Sequence, residues 1–333
     1  MNDFAGNTCP CFSFRIKALA RWTPRVRYNV CMEPHPHIDA HVHILPAWRL
    51  AGLMRWIHCA FPAHPVPEDI DRAHIESDLA AGRARLFFNL VYPLRPRETH
   101  RLNAFNFKLT QDLPHCAGWG SLHPENTDKA AATHRCIHEY GFLGMKFHPF
   151  VQEFSITDPA MHPVYDTLCA LRRPLFLHTG FDEFYKMNMP PEQIAELARR
   201  WPDMPIILSH MMFPRMRETL DLMDAHPQLI GDLTNVPGSI RWRAGLNGKS
   251  FGDMPETQLL RRRLPGFADR LIYGSDHPAG MGGYADIYAD FHALNLSRDL
   301  AQAILWRNPL ALVHKYLPGR WRAASAAGYE TDF

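Results

Sequence analysis

The chain has 333 residues, 46% of them hydrophobic, with a formal net charge of +2. That is enough apolar material for one large α/β domain, and the near-neutral, evenly spread charge excludes a nucleic-acid footprint. No apolar stretch approaches the roughly 20 residues a membrane span needs.

Residues 1–31 show no clear periodicity, and their charged residues are almost all basic. They lack the uninterrupted apolar core of a secretory signal. Residues 1–31 are therefore expected to be a disordered extension, with Met32 as a plausible natural start and a short basic targeting arm as the alternative. Cys9-Pro10-Cys11 has no second cysteine pair to complete a metal site. The seven cysteines are odd in number and scattered, which reads as reduced thiols in a cytoplasm.

From Ile38 onward the pattern is regular. Strands are predicted at 38–45, 84–92, 115–122, 142–148, 173–179, 205–210, 229–234 and 271–276. Most are continuous apolar runs, as expected for a parallel sheet covered on both faces. Helix boundaries lie between them. Thr127-Asp128 opens a run that closes at Gly141, and Thr157-Asp158-Pro159 opens the next. Pro190-Pro191-Glu192 opens Ile194–Trp201, and Pro214 opens Met216–Ala225. Gly238–Gly245, glycine-flanked, reads as a long loop of the lid type. The expected fold is α/β, a single (β/α)₈ barrel over residues 32–320 with a tail at 321–333.

The polar tips of these runs carry the chemistry. In Ile38-Asp39-Ala40-His41-Val42-His43 the period-two alternation puts His41 and His43 on one face. Later runs end at Lys146, His178, His210 and Asp276. In a (β/α)₈ barrel the C-terminal strand ends gather around one active site. Two imidazoles from one strand, a third from His178 and an oxygen from Asp276 make an N₃O shell suited to Zn²⁺, with Mn²⁺ or Fe²⁺ as alternatives. Asp276 is also placed to take a proton from water activated by the ion. Asp39 is expected to face away from the pair and anchor the strand end.

Asp39-Ala40-His41-Val42-His43, Gly144-Met145-Lys146-Phe147-His148-Pro149, Leu177-His178-Thr179-Gly180, Leu208-Ser209-His210 and Tyr273-Gly274-Ser275-Asp276-His277-Pro278 resemble the amidohydrolase superfamily. The closer likeness is to the amidohydrolase-related ("amidohydrolase 2") branch, and Trp306–Leu312 is similar to that branch's Asn-containing closing helix. The resemblance spans about residues 36–317. It implies a metal-dependent barrel enzyme, either a hydrolase or a decarboxylase. It further implies that Lys146 can become a carbamate bridging two ions, with His210 on the second.

Two roles are open for His210: second-ion ligand, or catalytic hydrogen-bond donor to a substrate carbonyl. Lys146 is open between carbamate bridge and substrate contact. His148 and His277 are second-shell or substrate candidates, and Arg241 or Arg243 is placed to pair with a carboxylate, with solvated surface charge as the competing reading. Trp48, Arg49 and Trp56 follow the first strand and either line the pocket or pack the outer helix. The expected activity is hydrolysis of an ester, lactone, amide or thioester of a small organic acid with one or two ions. The alternative is non-oxidative decarboxylation of an unsaturated or aromatic acid, and the minor alternative a catalytically silent binding barrel. Beyond a small-molecule substrate, a homodimer is the one further partner left open; neither nucleic acid nor membrane is expected.

Overall fold

Eight short parallel strands alternate with helices in a computed structural model that describes residues 35–324. They are β1 (His37–Val42), β2 (Ala84–Asn89), β3 (Cys116–Gly118), β4 (Met145–Phe147), β5 (Leu175–His178), β6 (Ile206–Ser209), β7 (Leu229–Asp232) and β8 (Leu271–Ile272). Every one overlaps the segment predicted for it, and every one ends earlier. The residues beyond each tip leave the ladder, which frees their side chains for the barrel mouth.

The helices start where the boundary residues indicate. The run opened at Asp128 is helical from Lys129, and Gly141 follows it in the left-handed region at φ 65°. Pro191–Arg200 begins on proline, and the helix after Pro214 covers Met216–Ala225. One expectation is corrected. Residues 238–245 are not a loop but lie inside the helix Val236–Leu246, which buries Ile240 and Ala244. The glycine at 238 answers to packing rather than flexibility, because a Cβ there would lie 3.1 Å from Asp290 Oδ2.

The strands pair in chain order, β1-β2-β3 and β4-β5-β6-β7-β8. Backbone bonds join the two sets into a ring. Lys146 N donates to Gly120 O at 2.7 Å on one side. On the other, Ala40 N donates to Tyr273 O at 2.9 Å, Asp276 N to His41 O at 2.7 Å and His43 N to His277 O at 2.8 Å. β8 thus lies against β1, as a closed (β/α)₈ barrel requires. The contact is tight: a Cβ on Gly274 would come 2.3 Å from His41 Cβ.

Alternation sorts the side chains into two layers. Phe176, Ile207 and Ile272 point inward with Ile38 and Ala40, while Leu175, Leu177, Ile206 and Leu208 pack outward under the helices. The floor is closed by Trp306, Val313 and Tyr316, which join the inner cluster from the C-terminal helices. Asn308 Nδ2 fixes that segment by donating to Ala268 O and Leu271 O, each at 2.8 Å. Helix Pro318–Ala324 runs across the boundary expected at 320. The stretch 1–31, with Cys9-Pro10-Cys11 and the Met32 start, lies outside the described residues, as do residues 325–333 of the expected tail. Among the described residues no helix is long and apolar enough to cross a membrane.

Candidate metal centre

β1 and the residue that follows it carry His41 and His43, and a β-bulge aims them. The register against β2 advances from Asp39↔Phe87 to Val42↔Asn89, so β1 has one residue more than its partner over that stretch. Strict alternation would set Asp39 on the face of His41. The extra residue reverses the phase, and Asp39 instead turns to the segment after β8; its Oδ1 accepts from Ser275 N at 2.9 Å and from His41 N at 3.1 Å. Asp39 therefore anchors the strand end, as expected from the sequence, but the bulge is the reason.

Each imidazole is fixed by an acceptor behind it. His41 Nδ1 lies 2.8 Å from Asp232 Oδ2, His43 Nδ1 2.8 Å from Leu90 O, and His210 Nδ1 2.9 Å from Thr234 O. Carbonyl and carboxylate oxygens only accept, so each Nδ1 carries the proton and each Nε2 presents a lone pair. Those lone pairs converge on Asp276. Its Oδ1 lies 3.0 Å from His43 Nε2 and 3.4 Å from His41 Nε2. Its Oδ2 accepts from Asn235 Nδ2 at 2.7 Å. Ligand atoms of His41, His210 and Asp276 all fall within 4.8 Å of one another. Acceptor set against acceptor at these distances is repulsive unless a cation or a proton lies between them.

His178, at the tip of β5, stands one ring away. It stacks on His148 with ring centroids 3.5 Å apart and lies 4.7 Å from the His210 ring. Its Nε2 is buried with no hydrogen-bond partner, a cost that an uncoordinated ligand nitrogen would carry. The donor set therefore fits a divalent ion: imidazole nitrogens with fixed tautomers, one carboxylate and one orphaned nitrogen beside them.

Burial sets the charge state. It pushes His41, His148 and His178 well below the ordinary histidine range, and Lys146 adds to the effect on each. His210 is lowered by burial as well. Burial alone would raise the Asp276 carboxyl, but positive charge among His41, His43 and His210, together with a hydrogen bond from His43, outweighs that and holds it well below the carboxylate range. Burial thus favours neutral rings at His41, His148, His178 and His210, and Asp276 keeps its charge where positive charge lies among the nitrogens.

The other expected residues divide. Lys146 is fully buried on β4, in register with Phe176 and so one pleat beneath the paired rings of His148 and His178. Its Nζ donates to Ser209 Oγ at 3.1 Å and lies 4.7 Å above the Phe176 ring; burial lowers it to about 8. His148 also packs on Tyr92 at 5.2 Å. His277 turns aside to Asp78 Oδ2 at 3.0 Å on the helix Arg72–Ala81. Arg241 pairs with Asp290, and Arg243 with Glu256 at 3.0 Å, so neither arginine faces the site as a free cation for a substrate.

Sequence reasoning passed over Asp232 and Asn235. Asp232 ends the seventh run, so the strand-tip rule that found His178 would have found it too. Burial raises its carboxyl to about 6, with His210 opposing. Asn235, left-handed at φ 62°, gives no such signal; only the fold brings it to Asp276. Asp232→Asn, which keeps size but loses the acceptor strength that fixes His41, is expected to weaken metal affinity about 10–100-fold, read by chelator competition. Unchanged affinity would remove Asp232 from the site.

The sequence matches the family model described as Amidohydrolase over residues 38–315. A search of curated proteins finds no match. Several solved structures share the fold. An uncharacterized TIM-barrel protein from Bordetella bronchiseptica is 17% identical, with a TM-score of 0.63, covering 84% of this chain and 99% of its own. A probable 2-pyrone-4,6-dicarboxylic acid hydrolase from Acinetobacter baumannii, with citric acid bound, is 15% identical at a TM-score of 0.56, covering 84% and 99%. A 5-carboxyvanillate decarboxylase from Novosphingobium aromaticivorans, complexed with manganese and a nitrobenzoic acid, is 14% identical at 0.57, covering 85% and 96%.

Proposed function

The chain belongs to the amidohydrolase family, and from that premise we propose that it is a metal-dependent hydrolase of small organic acids, acting on an ester, lactone, amide or thioester. The observation that carries this reading is the convergence of fixed imidazole lone pairs on an ionised Asp276. His41, His43, His210 and Asp276 would hold one divalent ion, with His178 completing the set after a small ring movement. Zinc suits that nitrogen-rich shell, and manganese or ferrous iron would also fit. Bound there, the ion supplies Lewis acidity and makes water a nucleophile near neutral pH.

The chain's own groups perform the rest. Asn235 steadies Asp276 through Oδ2, so Oδ1 faces the ligand nitrogens. Oδ2 keeps a second lone pair to take the attacking water's proton and pass it to the leaving group. Tyr92 packs on both His43 and His148 beside the ligand nitrogens. Decarboxylation would instead require a proton donor beside the reacting carbon. Burial disfavours the protonated form of His148, the ring beside the site that is not assigned to the ion.

Turnover in ¹⁸O-labelled water tests the choice across a panel of esters, lactones and aromatic acids. Solvent oxygen in the product acid is the expected result. Release of CO₂ with solvent hydrogen on carbon would replace hydrolysis by decarboxylation.

A further inference from the structure

Arg241 and Arg243 are held by Asp290 and Glu256, but another arginine at the barrel mouth has no such partner. Arg49 lies in the first turn of the helix Ala47–Ala60, directly after the His41–His43 segment, and that turn contains no acidic residue. Among the described residues no carboxylate pairs with Arg49. Its Nε is buried without a hydrogen-bond partner. Its guanidinium lies 5.6 Å above the Tyr92 ring, and Tyr92 packs on His43 at 5.7 Å and on His148 at 5.2 Å. One aromatic ring thus separates an unpaired cation from a candidate metal ligand.

The space between them is roofed. β5 stands opposite β1 in an eight-stranded ring, and the turn Asp182–Tyr185 that follows it reaches back across the mouth. Trp56, from the same helix as Arg49, meets Phe184 at 5.4 Å and lies parallel to Tyr185 at 6.3 Å. Tyr185 packs in turn against His178 at 5.4 Å. A buried guanidinium N–H without an acceptor is costly to maintain. A planar fork that matches a carboxylate bidentately would satisfy it.

We propose that Arg49 binds a carboxylate of the substrate, so that the enzyme selects organic acids whose anionic group lies away from the bond that is cleaved. The assignment rests on the metal site proposed above and replaces Arg241 and Arg243 in the substrate-binding role.

Calorimetric titration of the metal-loaded enzyme with benzoate and with neutral benzamide tests it. Wild type should bind benzoate the more tightly, and Arg49→Gln should lower benzoate affinity ~10-fold or more, the worth of a charged hydrogen bond. Benzamide affinity and metal content should not change, and Arg49→Lys should recover part of the loss. Benzoate affinity within about twofold of wild type in Arg49→Gln, an equal loss for both probes, or no preference for benzoate in wild type would each overturn the proposal. Because binding is read without turnover, a decarboxylase outcome in labelled water would leave this result standing. A failed benzoate test would equally leave hydrolysis intact.

Discussion

His41→Ala is expected to remove the metal and nearly all activity together. The ring does two things at once: Nδ1 satisfies the fully buried Asp232 and Nε2 faces Asp276. Losing a residue that merely orients a ligand costs about 10–100-fold in affinity or activity, so loss of the ligand itself should exceed that range. Elemental analysis of the purified variant, beside a thermal unfolding scan to confirm that it folds, reads the result. Wild type should carry one equivalent, because the described residues bring together a single close group of ligand atoms. Lys146, bonded to Ser209 beneath the stacked histidines, should not alter that count when changed to alanine. Two equivalents in wild type, one of them lost in Lys146→Ala, would establish the carbamate bridge. A folded wild type with neither metal nor metal-dependent activity would sink the catalytic reading altogether.

Asp276→Asn should bind metal less tightly yet fold, since the amide keeps an oxygen at the same place. It loses the base, and the rate should drop roughly 10²–10⁴-fold, the usual worth of general acid–base catalysis. The pH profile separates this from a structural effect. The Asp276 carboxyl sits well below the carboxylate range, so it is ionised at every pH where the protein is assayed and does not set the limb near neutrality. Wild-type activity should therefore rise through about pH 7, where metal-activated water loses its proton, and then level off. Loss of activity at alkaline pH in place of a plateau would indicate a required acid and favour decarboxylation. A variant with wild-type rate would remove Asp276 from proton transfer.

The two misplacements in the sequence reading share a cause. Gly238 and Gly245 suggested a lid, yet the segment is helical because Ile240 and Ala244 bury against the barrel and Gly238 admits Asp290. Arg241 and Arg243 suggested substrate contacts, yet the same helix delivers them to Asp290 and Glu256. In both cases the deciding partners lie far along the chain, and local pattern carries no record of them.

The barrel itself was written in the sequence, because strand and helix periods, proline starts and glycine stops are local properties. So was the meeting of His41, His43, His178, His210 and Asp276 at one end of the barrel, since a parallel barrel sends every strand tip there. What only the tertiary structure decided is how those groups are aimed. A bulge in β1 turns Asp39 away from His41, and left-handed backbone at His210 and Asp276 re-aims two side chains that simple alternation would misplace. Acceptors from β7, from the segment after β2 and from the loop around Thr234 choose the tautomer of each ring. Such choices depend on which oxygen ends up within about 3 Å of a given nitrogen, and that is a property of the closed ring.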